Sequence, residues 1–408
     1  MLRSMFTAIS ALNLHQDYLD VISDNLANAN TTGFKASRVV FQDLLSEIVS
    51  PGSAPSGRKG GVNPTQIGLG AQLGYVAPVF TQGMSQSTGR NLDCAVQGEG
   101  FFIFDEGLDR RYSRDGSFTV DASGFLVSSS SGLRVQGWVN PNPGSTTIDT
   151  NAGIGAITIP LDNTIARATA NVTLGGNLDS ETAVTTGTVD TSFTVFDSMG
   201  VTHNPTVRYT RTGANTWSWA VTGPTGAAGA GTVTFDATGH VSGTTTTTAI
   251  TVPGSTGAST INLTLDMDGI TMLANSNSVA ATYQDGLAAG SVSDVYIAQN
   301  TGQIYTVYSN GLKELVGQLA LASFTNPSGL LRDGSNYFMI GLNSGEPAIG
   351  AADSGGKGKI MTSRLEASNV DMAQEFTNMI LAQRGFQASS RVISTSDEIL
   401  QELVNLKR

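Results

Sequence analysis

The stretch Met372-Ala-Gln-Glu-Phe376-Thr-Asn-Met379-Ile380-Leu-Ala-Gln383-Arg-Gly385-Phe386-Gln-Ala-Ser-Ser390-Arg-Val392-Ile393-Ser-Thr-Ser-Asp397-Glu-Ile399-Leu400-Gln-Glu-Leu403-Val-Asn-Leu406 decides the fold class. Met372, Phe376, Met379, Phe386, Ile393 and Leu400 recur at 3.5-residue spacing, with polar gaps at Gln383, Ser390 and Asp397. A second apolar stripe runs through Ile380, Val392, Ile399, Leu403 and Leu406. Ser368 to Asp371 reads as a capping box, so the spacing predicts one helix over about 369–406. At ~1.5 Å per residue it is on the order of 57 Å long. Gly385 costs that helix roughly 1 kcal/mol and marks a place of close backbone packing.

The other end of the chain carries a matching pattern. Leu2, Met5, Ile9, Leu12, Leu19 and Leu26 form a coiled-coil-like seam broken by Gln16 and Ser23. Phe6, Ala8, Leu14, Tyr18, Val21 and Ile22 make the other faces apolar too, and charge is confined to Arg3, Asp17, Asp20 and Asp24. Two readings follow: the terminal helices pair and simply close the fold, or they pair and then pack against copies of themselves. Each helix has more than one apolar stripe, whereas a two-helix pair hides one face of each. That excess favours a polymer.

Between the helices the period changes to two. Phe101–Phe104, Ser117–Val120, Phe193–Phe196, Val207–Thr210 and Tyr305–Tyr308 alternate branched or aromatic residues with polar ones, punctuated by Gly. Tyr112 to Leu126 reads as strand, Asp115-Gly116 turn, strand, turn, strand. Residues 146–284 are biased to Thr, Ser and Gly, including the run Thr244–Thr248, and are expected to form an inserted β domain. The fold class is therefore α+β and multidomain, with paired N- and C-terminal coiled-coil-like helices and discontinuous β-rich domains inserted between them. The expected divisions are a terminal helical domain of 1–35 and 364–408, a connector of 36–71, a β-rich core of 72–145 and 285–363, and an outer β domain of 146–284. The Gly-, Pro- and Ser-rich connector is either extended or disordered in the free chain.

Composition narrows the function. At 408 residues the chain exceeds the roughly 250–300 at which one core divides. Charged residues are only 13%, so Ser, Thr, Asn, Gln and Gly must carry the surface. With net charge −11 and no basic run longer than Arg58-Lys59 or Arg110-Arg111, nucleic acid is an unsuitable partner. Cys94 is the single cysteine, excluding an internal disulfide, and is expected as a small buried hydrophobe. The beginning of the chain has no unbroken apolar stretch of signal-peptide type, and no run of about 18 apolar residues predicts a membrane span.

Catalytic constellations are not evident. His15, His203 and His240 are scattered, with no Ser-His or Cys-His pairing. Gly68-Leu-Gly70-Ala-Gln-Leu-Gly74 places its third glycine one position late for a dinucleotide fingerprint. Asp105, Glu106 and Asp109, or Asp266 and Asp268, lack the spacing of a calcium loop and read as solvated turns. The expectation is no enzyme, no metal and no cofactor.

Several stretches resemble one family. Asp24-Asn25-Leu-Ala-Asn28-Ala-Asn30-Thr-Thr-Gly33-Phe34-Lys35 is similar to the motif that ends the N-terminal helix of bacterial flagellar rod and hook axial proteins. Val96-Gln-Gly98-Glu-Gly100-Phe101-Phe102, the Tyr112–Leu126 stretch, and Glu366-Ala-Ser-Asn369 through Ala382-Gln-Arg384-Gly385-Phe386-Gln387-Ala388 follow in the family's order. The resemblance covers about 1–145 and 285–408. It implies a tube wall made by the paired termini, a β domain around them and an outer domain facing solvent. It also implies type III export without a cleaved signal peptide, a place in the flagellar hook or basal body outside the cell, and a homopolymer that adjoins the distal rod, hook cap, hook–filament junction and hook-length control proteins. Self-assembly is expected through Leu2, Met5, Ile9, Leu12, Leu19, Leu26, Phe376, Met379, Ile380, Phe386, Ile393, Leu400 and Leu403, and the family motif through Asn25, Asn28, Asn30, Gly33, Phe34 and Lys35. Length and the 146–284 insertion favour a hook subunit. The 41–74 stretch, longer than in short hook subunits, resembles a distal-rod feature, so the distal rod is the alternative. A secreted β-rich adhesin would account for 146–284 but leaves both terminal helices unexplained.

Overall fold

A computed structural model describes residues 2–57, 59–107, 109–142, 144–242 and 248–406. Two helices bracket the chain, α1 (Leu2–Ala27) and α2 (Met372–Leu406). The chain divides into two compact units. The first is Met1–Ile159, Tyr296–Ile304 and Leu315–Arg408, and the second is Pro160–Val295 and Tyr305–Glu314.

In the first unit α1 and α2 lie side by side and antiparallel. Asn25 donates to Glu375 Oε1 at 3.0 Å, and His15 sits against Gly385. A Cβ on Gly385 would collide with the His15 ring, so the glycine is there for close approach, as the sequence indicated. The start of α2 differs from the capping box at Ser368. Asp371 is the N-cap, its Oδ1 accepting from the amides of Ala373 at 2.9 Å and Gln374 at 3.2 Å.

The run expected as a connector is extended, but it is paired. Ser37–Asp43 pairs with Ala71–Pro78, and Ser46–Ser50 with Thr65–Gly68, all antiparallel. The bridges Ser53 to Val62 and Ser56 to Lys59 carry the ladder toward the tip. This ribbon runs along α1: Phe41 meets Tyr18 edge-on at 5.5 Å, and Arg3 bridges Glu47 at 2.7 Å.

The sheet of the first unit has the strand order Lys313–Ser323, Arg134–Val139, Phe101–Asp105, Arg110–Ser113, Tyr337–Met339 and Leu331–Arg332. Phe101–Asp105 is covered on both faces, which is why four apolar residues run together there without alternation. Phe101 and Ile103 pack with Tyr112, Trp138, Phe324 and Phe338, whereas Phe102 and Phe104 pack on Phe118 and Tyr337. The Asp115-Gly116 turn does not make a hairpin. Tyr112 and Ser113 pair with Phe102–Ile103 and with Tyr337–Phe338, while Phe118–Val120 pairs with Leu126–Ser128. Gly116 lies against the Cys94 carbonyl, so its role is close packing rather than hairpin geometry. Cys94 itself is fully buried, as expected for a small hydrophobe.

The second unit holds two four-stranded sheets sharing one core. One has the order Thr248–Val252, Ile261–Thr271, Asn171–Asn177, Ala280–Gln284, and the other Thr188–Ser192, Thr206–Arg211, Thr216–Gly223, Ala230–Thr234. Ile261, Leu263, Leu265 and Met267 alternate inward from the first, and Val207, Tyr209, Trp217 and Trp219 from the second. The Trp217 indole donates to Met272 Sδ at 3.4 Å inside this core. Of the Thr244–Thr248 run, residues 244–247 lie outside the described residues.

Candidate functional site

The motif that ends α1 builds a polar junction between both chain ends and the sheet. Asn28 Nδ2 donates to the Asp24 carbonyl at 2.9 Å, closing the last turn of the helix. Gly33 then takes φ +70°, and its amide donates to the Glu366 carbonyl at 2.7 Å. A Cβ at Gly33 would stand 2.6 Å from the Asp115 amide nitrogen, so both backbone conformation and space require glycine.

Past that turn Lys35 enters the protein. Its Nζ is 2.6 Å from Glu366 Oε1 and donates to the Thr81 carbonyl at 2.8 Å, with neither ionic side chain exposed to solvent. Glu366 Oε1 also accepts from the Gly83 amide at 2.8 Å, and its Oε2 lies 3.5 Å from Arg114 Nη1. Burial draws the Lys35 pKa down, and the Glu366 carboxylate opposes that shift. One buried carboxylate thus gathers two cations and a backbone amide, the multiple satisfaction that makes a buried charge tolerable.

Amide side chains complete the junction. Asn25 is buried, accepts from the Ser37 amide at 2.8 Å and donates to the Ser37 carbonyl at 2.8 Å. Asn369 does the same service from the other end: it accepts from the Ala36 amide at 2.7 Å and donates to the Val79 carbonyl at 2.8 Å. Arg332 stacks over the Phe34 ring, reaches the Lys35 carbonyl and lies 3.6 Å from Asp24. Asn30 is exposed and Asn28 half-buried. Glu366 and Asn369 stand in quoted motif segments, but pairing them with Lys35 and Ala36 needs contacts across more than three hundred positions.

The seam residues fall on both sides of the helix pair. Met5, Leu12, Leu19 and Leu26 of α1 and Met379, Phe386, Ile393 and Leu400 of α2 are half-buried. Ile9, Phe376 and Ile380 are exposed, the last two to about half of their area (50% and 52%). Ala8, Leu14, Ile22 and Asn25 of α1 and Ala382 and Ser396 of α2 are the buried positions among the described side chains. The side chains of Leu2 and Leu403 lie outside the described residues. Phe6 (69%), Leu381 (61%) and Val392 are further large apolar side chains left open to solvent.

The architecture locks both chain ends onto one β body and leaves the apolar faces of the helix pair incompletely covered. Family models match for the flagella basal body rod protein over 5–35, the flagellar hook protein FlgE/F/G D1 domain over 95–178, the flagellar basal body protein FlaE D2 domain over 160–287, and the flagellar basal body rod FlgEFG protein C-terminal over 361–406. The flagellar hook protein FlgE of Treponema pallidum is 36% identical and that of Borreliella burgdorferi 38%, each match covering 100% of both chains. The flagellar basal-body rod protein FlgG of Bacillus subtilis is 31% identical, also over 100% of both. The chain belongs to the family of flagellar hook and basal-body rod proteins. Among the described residues no helix is long and apolar enough to cross a membrane.

Proposed function

We propose that this chain is the structural subunit of the flagellar hook, self-assembling into the tubular joint that passes torque from rod to filament. Hook relatives match it end to end at higher identity than the rod relative, which supports the hook over the distal rod. The observation that carries the assembly reading is the exposed apolar surface of a helix pair already closed on itself: Phe6, Ile9, Phe376, Ile380, Leu381, Val392 and Ile399. Monomers seldom leave so many large apolar side chains of one helix pair in water. Covering it gains about 25 cal/mol per Å² before ordering costs.

On this reading the half-buried seam, Met5, Leu12, Leu19, Leu26, Met379, Phe386, Ile393 and Leu400, sets the register of the pair, and the exposed residues meet other subunits. The second unit, poor in charge, supplies weak exchangeable outer contacts that allow bending. The subunit reaches its place by the flagellar export route and adjoins the distal rod, hook cap and junction proteins. Its role is mechanical, not catalytic. Purified Ile393→Asp chain tests this: tube formation seen by electron microscopy is lost, while the Trp217 and Trp219 core keeps its wild-type unfolding transition. Normal tubes from that variant would refute the assembly reading.

A further inference from the structure

The middle of α2 is built differently from its beginning. Met372–Arg384 consists mostly of Met, Ala, Gln, Glu, Leu and Arg, strong helix formers, whereas Gly385–Asp397 holds a glycine, five hydroxyl residues, two β-branched aliphatics and an aspartate, all weak ones. The hydroxyls turn back on the helix. Ser389 donates to the Gly385 carbonyl at 2.9 Å, Thr395 and Ser394 to that of Arg391 at 2.8 and 3.0 Å, and Ser396 to that of Val392 at 2.7 Å. Each of those carbonyls is shared between a hydroxyl and the helix's own amide, an arrangement that weakens and bends helices. Among the described residues of Met372–Arg384 only Thr377 bonds this way. Packing does not make up the difference. α2 rests chiefly on α1, whereas α1 is also lined by the ribbon through Phe41 and Glu47. His15 lies level with Gly385 and Asn25 with Glu375, ten residues on in each helix, so the pair keeps step. Thr7 and Ser10 of α1 therefore stand level with Ile393 and Ser390, and their hydroxyls turn back too, to the carbonyls of Arg3 at 3.0 Å and Thr7 at 2.9 Å. Within Gly385–Asp397 the one buried side chain is Ser396, a hydroxyl where an apolar group would gain more from burial, and Phe386 and Ile393 are only half-covered.

We propose that Gly385–Asp397 is a compliant segment, at which α2 opens and bends while Met372–Arg384 stays firm against α1. Poor propensity, shared carbonyls and thin burial fall on the same stretch, and these are the features that lower the free energy of local opening. The stretch spans roughly three and a half turns, so a slight lengthening at each shared carbonyl adds up to a bend without any single break in the helix. Its place along the pair matters. Ile22, Asn25 and Ala382 are buried at the other end, beside the joint of Lys35 and Glu366, so yielding at Gly385–Asp397 leaves the docking of the chain ends on the β body undisturbed. The mechanical sense of the segment rests on the assembly reading above: in a tube wall made of such pairs, this level gives under load while the joint holds.

Hydrogen exchange on the full-length chain, read by mass spectrometry of peptides from α2, tests this. Amides of residues 389–396 are expected to exchange about tenfold faster than those of residues 376–384. Ser390→Ala/Ser394→Ala/Thr395→Ala alters three exposed side chains, so it raises helix propensity without touching the buried side. In that variant exchange at 389–396 should slow by about tenfold while exchange at 376–384 stays as it was. Thr377→Ala, the same kind of change in the firm part, should leave 389–396 at the wild-type rate. Wild-type exchange as slow at 389–396 as at 376–384, or a triple variant that exchanges like wild type, overturns the proposal. On assembled chains, electron microscopy should find a narrower spread of tube curvature for the triple variant, and an unchanged spread overturns the mechanical role. If the wild-type chain forms no tubes, the assembly reading fails, and the exchange result alone decides the segment.

Discussion

Lys35 Nζ and Glu366 Oε1 meet at 2.6 Å, sealed from solvent, although 331 positions of chain separate them. The pair joins the residue leaving the N-terminal helix to the residue approaching the C-terminal one. The helix pair is thus set on the β body only when both chain ends have arrived, and the Gly33 amide and Asn369 side chain bond across the same joint.

Removing one partner exposes the cost of that burial. Lys35→Met leaves Glu366 with Arg114 at 3.5 Å as its remaining cation, and the expected loss in the first unit is about 3 kcal/mol. Differential scanning calorimetry should show a lower-temperature transition for the first unit. Urea unfolding followed by Trp217 and Trp219 fluorescence, with Trp138 of the first unit replaced by Phe in both chains, should be unchanged. An unmoved calorimetric profile would mean that the joint is not what holds the ends.

Gly385→Ala separates helix propensity from packing. Alanine favours an isolated helix by roughly 1 kcal/mol. Here its Cβ collides with the His15 ring, so the variant is expected to lose stability of the pair despite its better propensity. Adding His15→Ala should restore it, measured as thermal melting of the helical signal at 222 nm. A single Gly385→Ala variant more stable than wild type would show that the ring moves aside freely.

Acid should act on the second unit through Asp197. Burial alone would raise its pKa, but hydrogen bonds from Ser255, His203 and Val201 hold it well below the ordinary carboxylate range. A depressed pKa adds stability that is fully present above the unfolded value near ~3.9 and is lost as pH falls toward the folded one. In Asp197→Asn the gap in stability from wild type should be constant above about pH 5 and narrow below about pH 4. A gap independent of pH would contradict the assignment.

Cys94 should resist chemistry while the first unit is folded. Burial, with the neighbouring Asp93 charge adding to it, pushes the thiol well above its ordinary pKa. Mass spectrometry after iodoacetamide treatment is expected to find it unlabelled in native buffer and fully labelled in denaturant. Rapid native labelling would place an opening of the strand Cys94–Gln97 within easy thermal reach.

The residues explain what could be read beforehand. Seam spacing at Met379, Phe386, Ile393 and Leu400 is a local signal, and so is Gly385 in an otherwise unbroken helix; both translated directly into the paired helices. Phe101–Phe104 is legible as a strand but reads with the alternating stretches, and its burial on both faces appears only in the sheet. The ribbon from Ser37 to Pro78 was not legible as paired structure. Its ladder is backbone-made, and most of its side chains are exposed, so no apolar alternation marks it. Asp115-Gly116 misled for a related reason: a glycine needed to pass a carbonyl looks like a glycine needed to turn a hairpin. Glu366 gave no hint of its partner, since buried charge pairs at that separation are set by tertiary packing.

On the proposed reading this chain forms the hook. Electron microscopy of basal bodies purified from cells lacking the gene tests it most directly. Complete rods that end without a curved tube are the predicted result, and rods truncated before completion, or intact motile flagella, would contradict it.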